Sequence, residues 1–234
     1  MKLHYKKYGE GQPLIIVHGL FGTLDNWQTF GKKIAEGFEV YLVDQRNHGH
    51  SPHSKDMNYQ LMSDDLHELI TDLDLSDVIL VGHSMGGKAV MTYATQHAEF
   101  IDKLVVVDIA PKQYPLHHQQ ILAGLNGIDL SVVKTRREAD AVLAQHVDDS
   151  GVRQFLLKNL YWVEKGQLGW RINIPTLTEH MEEILDTTPP IRVETPTLFI
   201  RGEKSNYITE DDYQDIYNQF LDSEIETIYN VGHW

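Results

Sequence analysis

Short apolar segments recur along the chain, separated by segments in which apolar residues return at helical spacing. Five of them are rich in β-branched residues and end in glycine or aspartate: 13–19, 38–44, 77–82, 103–108 and 197–202. Continuous apolar runs, in contrast to alternating ones, are typical of strands buried on both faces of a parallel sheet. The pattern predicts such a sheet at the centre of the protein.

Three amphipathic segments lie between the first four of these predicted strands, at 26–36, 59–74 and 84–97. The second follows Asn58, a residue type suited to cap a helix N-terminus. Strands that alternate with helices predict an α/β fold with right-handed crossover connections.

Residues 112–190 interrupt this alternation with a mainly helical pattern and one hairpin-like stretch, WVEKGQLGWRI, at 162–172. We interpret this segment as an insertion that lies over the sheet. The predicted organisation is therefore a core formed by 1–111 and 191–234, with a helical cap at 112–190.

The net charge and the composition limit the kinds of binding partner and chemistry that we expect for this protein. The net charge of −14 disfavours nucleic acid and anionic membrane partners, and the absence of cysteine excludes disulfides and a thiol nucleophile. We find neither an apolar run of about 20 residues nor an apolar leader near the N-terminus, and we expect a cytoplasmic protein. The oligomeric state is left open.

The sequence GHSMG, residues 82–86, directly follows a predicted strand and opens a predicted helix. Gly-x-Ser-x-Gly in this position is the turn that exposes a nucleophilic serine in acyl-transfer enzymes. A serine that only caps a helix is the alternative. We predict that Ser84 is a nucleophile.

The sequence HGLFG, residues 18–22, follows the first buried strand, where a loop can lie beside the nucleophile. Acyl transfer requires two backbone N–H groups directed at the oxygen that becomes negatively charged. We predict that Met85 supplies one and Leu20 the other, with Phe21 as the alternative to Leu20. His18 is expected to brace the loop through side-chain hydrogen bonds and to take no proton in the chemistry.

Three motifs in this order, HGLFG, DQRNHGHS and GHSMGGKA, resemble the α/β-hydrolase superfamily. The last two together resemble the bacterial YbfF-type esterases, over essentially the whole chain. The resemblance implies a mostly parallel central sheet flanked by helices, with an inserted and mainly helical cap. It also implies a cofactor-free serine esterase whose substrates are short- to medium-chain acyl esters, with acyl-CoA thioesters as a further class.

Thirteen histidines are candidates for the general base. Because this fold orders nucleophile, acid and histidine along the chain, those up to His83 are excluded. His97 is expected on the wrong side of the sheet, and four others fall at cap positions that we expect to be solvated: His117, His118, His146 and His180. His233, after a strand-like segment, is the predicted base.

The loop that usually carries the acid, RGEKSNYIT, has Ser205 at the place of the expected aspartate. Asp108 ends the neighbouring predicted strand at the same edge of the sheet as Ser84. The resemblance to YbfF-type esterases also places the acid after this strand. We predict that Asp108 is the acid, with Glu203 as the alternative.

Two further groups of residues have structural interpretations. Asp44 precedes the nucleophile along the chain and is expected to pair with Arg46. His48, His50 and His53 lie close together but have no accompanying carboxylates. We therefore predict no metal site there.

Aromatic residues are expected to form an apolar acyl pocket. The candidates are Phe21 and His83 from the core, with Tyr114, Trp162 or Trp170 from the cap, although cap aromatics more often pack internally. A carbon–carbon bond hydrolase with the same nucleophile and base, or a non-catalytic ligand-binding protein, are the alternative functions.

The family that this chain resembles continues beyond the catalytic histidine with a further helix. Here His233 is followed only by Trp234. We therefore expect this sequence to be a piece of a longer chain, and whether it is active as given is left open.

Overall fold

The computed structural model of the protein describes residues 1–116 and 118–233; His117, expected at a solvated position, and Trp234 lie outside the described residues. The described strands are β1 (Tyr5–Tyr8), β2 (Gln12–Val17), β3 (Phe38–Val43), β4 (Val78–His83), β5 (Ile101–Val107), β6 (Leu160–Glu164), β7 (Gln167–Trp170), β8 (Thr197–Gly202) and β9 (Ser223–Ile228). The α-helices are α1 (Gln28–Ile34), α2 (Tyr59–Asp72), α3 (Met85–Ala94), α4 (Gln119–Asn126), α5 (Arg136–Leu143), α6 (Ser150–Leu157), α7 (Ile174–Glu179), α8 (Met181–Leu185) and α9 (Tyr213–Gln219).

The described strands other than β6 and β7 form one sheet in the order β1-β3-β2-β4-β5-β8-β9. Within this sheet β1 pairs antiparallel with β3 and the remaining neighbours are parallel. The predicted α/β class with a mostly parallel sheet is confirmed. In the register His83 is opposite Val107, and Val107 is opposite Ile200, so β4 and β5 end level and β8 continues to Gly202 at the same edge.

The sheet buries both faces, which explains the continuous apolar runs of its strands. Along β2, Ile15 and Val17 belong to the larger core, which includes Leu66 of α2, whereas Leu14 and Ile16 belong to a smaller core on the opposite face.

The Asn58 side chain caps α2 as predicted, because it accepts a hydrogen bond from the Leu61 N–H at 2.9 Å. An N-cap side chain of this kind satisfies one of the N–H groups that have no partner within the helix.

Between β5 and β8 the chain forms helices α4 to α8 and the hairpin of β6 and β7. The hairpin, at 160–170, overlaps the stretch 162–172 where the sequence pattern suggested one. The division into a core and a cap at 112–190 stays a prediction, and we keep the name cap for that segment.

A buried lysine joins both ends of the cap to α3. Lys88 is 1% exposed, and its Nζ donates to the backbone oxygens of Lys112 (2.8 Å), Leu185 (3.1 Å) and Asp186. Its Nζ also lies 4.8 Å from the centre of the Tyr114 ring. Burial lowers the pKa of Lys88 to about 7, with the Asp186 carboxylate acting in the opposite direction.

This burial predicts a pH dependence of stability that replacement of Lys88 by methionine should remove. Between about pH 7 and 10.5, the unfolded chain holds the Lys88 proton that the folded chain releases. The free energy of unfolding should therefore rise with pH in the wild type relative to Lys88→Met, by at most about 1.4 kcal/mol per pH unit. Urea unfolding of both proteins between about pH 6 and 9 measures the difference; parallel curves would contradict the expectation.

Candidate active site

The serine of the GHSMG sequence occupies a strained turn between β4 and α3. Ser84 has φ 52° and ψ −120°, a conformation that few non-glycine residues adopt. The turn is possible because Gly82 and Gly86, on either side of it, lack side chains: a Cβ on Gly86 would lie 2.4 Å from the Val17 backbone oxygen. The hydroxyl is thereby presented at the carboxyl edge of the sheet.

Hydrogen bonds connect the predicted nucleophile, base and acid. His233 Nε2 lies 3.0 Å from Ser84 Oγ, and His233 Nδ1 lies 2.7 Å from Asp108 Oδ2. With its proton on Nδ1, the imidazole donates to the carboxylate and can accept the serine proton at Nε2. The structure thus brings together three residues that are far apart in the sequence.

Asp108 lies at the end of β5 in a left-handed conformation, with φ 54°, and is 3% exposed. Burial by itself would raise the pKa of Asp108, but hydrogen bonds from His233, Ser205 and the Gly202 N–H outweigh it and hold the pKa below its usual value. Asp108 is therefore a carboxylate at neutral pH, as a partner of an imidazolium must be.

Ser205 donates a hydrogen bond to Asp108 Oδ2 at 2.5 Å. The sequence drew attention to Ser205 because it stands where the acid is usual, but gave no indication of this contact. The loop after β8 thus contributes a hydroxyl that contacts the carboxylate supplied by β5.

Glu203, the alternative acid, is exposed and accepts a hydrogen bond from the Asn230 N–H at 2.8 Å. The predicted pair of Asp44 and Arg46 is wrong. Arg46 pairs with Asp65 through two nitrogens, at 2.7 and 2.9 Å, because the fully buried Asp44 accepts N–H groups of nearby loops.

The loop HGLFG passes directly beside Ser84, since a Cβ on Gly19 would lie 3.2 Å from the Ser84 Cβ. The Phe21 N–H donates to His48 Nε2 at 3.2 Å. Within residues 1–116 and 118–233, the Leu20 and Met85 N–H groups have no hydrogen-bond acceptor. Both therefore remain available to an oxyanion, which favours Leu20 over Phe21 as the second donor.

His18 braces this loop as expected. Its Nδ1 lies 2.8 Å from the Gly19 backbone oxygen, and its Nε2 accepts from the Gln45 N–H at 3.0 Å. Burial lowers the pKa of His18 to about 4, so the ring is neutral and both nitrogens are engaged. A proton-transfer role is therefore disfavoured.

A cavity of about 740 Å³ opens over Ser84 and His233. Its apolar wall comes from Leu20, Trp27, Phe30, Val152, Phe155 and Ile228. His83 also lines it, and burial lowers the pKa of His83 to about 4, so that this ring is neutral. The cavity is thus mainly apolar, as expected of a site for an acyl chain, although Asn26, His118, Asp149 and Arg201 also line it.

The other predicted pocket residues lie elsewhere. Phe21 is fully buried, and Trp162 on β6 is 52% exposed; with Tyr114 and Trp170, they are not among the residues that line the cavity. Tyr114 instead donates to the Tyr207 backbone oxygen at 2.5 Å, and the Tyr207 ring stacks on His233 at 3.6 Å. Tyr114 thus contacts the residue whose ring packs against the predicted base, His233.

Sequence reasoning missed the residues that do form the wall. Trp27 and Phe30 are spaced by three, as are Val152 and Phe155. This spacing places each pair on one helical face, but it does not indicate that the two faces meet over Ser84.

Among residues 1–116 and 118–233, no group of three or more His, Cys, Asp or Glu side chains is arranged to hold a metal ion. No described helix has the length and hydropathy required to span a bilayer.

Comparison with known proteins places this geometry in context. The chain is 38% identical to the esterase YbfF of Escherichia coli (strain K12) over 95% of the chain and 86% of that protein. It is 40% identical to the sn-1-specific diacylglycerol lipase ABHD11 of Danio rerio, over 97% of the chain and 74% of that protein. A solved structure described as a marine microorganism esterase superposes with a TM-score of 0.97 at 42% identity, covering 100% of this chain and 93% of the other.

The expected resemblance to YbfF-type esterases is thereby confirmed. The family model for the alpha/beta hydrolase fold matches residues 12–234. The match includes the strands of the sheet other than β1, the GHSMG turn and the segment that carries His233. This chain belongs to the α/β-hydrolase fold family.

Proposed function

We propose that the protein is a serine esterase that hydrolyses uncharged carboxylic esters with short- to medium-length acyl chains. The observation that carries the proposal is the hydrogen-bonded series Ser84, His233 and Asp108 beneath an apolar cavity. The names of its relatives, an esterase and a diacylglycerol lipase, support an ester as the substrate.

In the proposed reaction, Ser84 Oγ attacks the ester carbonyl while His233 Nε2 takes its proton. The Leu20 and Met85 N–H groups stabilise the oxyanion, and Asp108 stabilises the imidazolium. His233 then gives the proton to the departing alcohol. Water, deprotonated by His233, attacks the acyl-enzyme, and the acid is released as Ser84 regains its proton.

Electrostatics favour neutral esters over acyl-CoA thioesters. The net charge of −14 repels a polyanionic coenzyme A moiety at long range. The acyl portion of both substrate classes fits the same apolar cavity, so the difference should be seen mainly at low ionic strength, where repulsion is screened least.

A fluorophosphonate probe and a substrate panel test the proposal. The probe should label wild-type protein at Ser84, identified by peptide mass spectrometry, and should not label Ser84→Ala. The panel comprises p-nitrophenyl esters of increasing acyl length, a diacylglycerol and acyl-CoAs, and p-nitrophenyl esters should be turned over fastest. A wild-type protein that is folded, unlabelled and inactive on every ester would refute the proposal and favour a ligand-binding role.

A further inference from the structure

The backbone N–H and the backbone carbonyl of Phe21 are both hydrogen-bonded to residues outside the loop 18–22. Phe21 is fully buried and has φ 61°, in the left-handed region that a bulky side chain rarely adopts. A backbone in such a conformation persists only where its surroundings hold it. The residue immediately before it, Leu20, has the N–H that faces no described acceptor.

The core holds the Phe21 N–H. His48 is fully buried, and burial lowers its pKa to about 3, so the ring is neutral. Its Nδ1 lies 2.9 Å from the Arg46 backbone oxygen and therefore carries the proton. Its Nε2 is then the acceptor for the Phe21 N–H.

The cap holds the Phe21 carbonyl. Asn159, between α6 and β6, donates through Nδ2 to the Phe21 oxygen at 2.7 Å and to the Leu156 oxygen at 3.1 Å. The side chain is 1% exposed, and its Oδ1 has no hydrogen-bond partner among the described residues. An unpaired buried acceptor is unfavourable for folding, which indicates that another requirement selects this amide.

We propose that Asn159 is a positioning residue through which the cap sets the geometry of the oxyanion loop. By fixing the Phe21 carbonyl, it fixes the plane of the following peptide and restrains the left-handed turn that presents the Leu20 N–H. The inference rests on the proposed esterase function for its catalytic part. Its structural part, that the cap restrains loop 18–22, stands independently.

A matched control comes from a second asparagine that joins cap and core. Asn173 Nδ2 donates to Asn47 Oδ1 at 3.0 Å and to the Ser54 backbone oxygen at 3.1 Å. Neither acceptor belongs to loop 18–22. Asn159→Leu and Asn173→Leu both remove cap–core hydrogen bonds while keeping a side chain of similar size, and only the first reaches the oxyanion loop.

We expect Asn159→Leu to lower kcat on a p-nitrophenyl ester by about 10- to 100-fold, less than the loss of a whole oxyanion donor. KM should stay within about threefold. The affinity for an aryl boronic acid, whose tetrahedral adduct places an oxygen at the oxyanion position, should fall by the same factor as kcat/KM. Asn173→Leu should keep kcat within about twofold of the wild type.

Amide hydrogen exchange of residues 18–22 supplies a readout that does not depend on activity. Exchange there should accelerate in Asn159→Leu and not in Asn173→Leu. If the wild type hydrolyses esters and Asn159→Leu keeps its kcat, or if the two variants lose activity equally, the inference is overturned. If the wild type is inactive on every ester, the proposed function fails, and unchanged exchange in Asn159→Leu alone then overturns the positioning role.

Discussion

Replacing Ser84 with alanine should abolish ester hydrolysis while leaving the protein folded. Removal of the nucleophilic serine in a serine protease lowers kcat by about a millionfold, and what remains comes from the oxyanion hole and substrate binding. We expect residual turnover near 10⁻³ of the wild type or below. The measurement is the initial rate on a p-nitrophenyl ester at saturating concentration.

The structure supplies the reason to expect an intact fold. Ser84 Oγ makes its side-chain hydrogen bond to His233, and alanine has the same backbone requirement as serine at φ 52°. The melting temperature and circular dichroism spectrum of Ser84→Ala should therefore match those of the wild type. Activity above about 1% of the wild type would refute the nucleophile assignment, provided that fluorophosphonate titration excludes a contaminating esterase.

Replacing Asp108 with asparagine should reduce kcat by at least 100-fold, in keeping with the roughly 10⁴-fold loss for the equivalent change in a serine protease. Asparagine tolerates the left-handed backbone at this position, so the change is local. Its Oδ1 can still accept from the Gly202 N–H. Its NH₂ group then faces His233 Nδ1 and forces the imidazole proton onto Nε2, which can no longer accept from Ser84.

Two further variants make this test specific. Glu203→Gln, in the loop where the acid is usual, should change kcat little, because Glu203 is exposed. Ser205→Asp added to Asp108→Asn should restore part of the activity, because Ser205 Oγ lies 2.5 Å from the Asp108 oxygen that contacts His233. The assignment fails if Glu203→Gln is the crippled variant, or if Asp108→Asn retains more than a tenth of the wild-type kcat.

The sequence alone predicted most of the strands and helices of the sheet and their order along the chain. The buried strands of a parallel sheet are continuous apolar runs, and the caps and breakers at their ends are local, so that Asn58 could be recognised as a cap before any contact was known. The antiparallel edge strand β1, Tyr5–Tyr8, was missed. Its residues are mostly half-buried and polar, and an edge strand of this kind has no distinctive pattern.

The candidate site was likewise predicted only in part from the sequence. Ser84, Asp108 and His233 were predicted because each lies at or after the end of a predicted strand or strand-like segment, and parallel strands bring their carboxyl ends to one edge. Apart from His83, the predicted pocket residues do not line the cavity. Trp162 and Tyr114 were chosen because they are aromatic, yet which aromatic side chain reaches the site depends on how the cap lies over the core, and no local pattern encodes that.

The tertiary structure alone decided the contacts that tune the site. Asn159 contacts Phe21 across 138 residues of sequence, and Ser205 contacts Asp108 across 97. Hydropathy and capping patterns act over a few residues and specify elements, whereas a hydrogen bond between distant loops depends on the packing of every element between them. For the same reason Lys88 could be read only as a helix residue, until packing placed its ammonium against both ends of the cap.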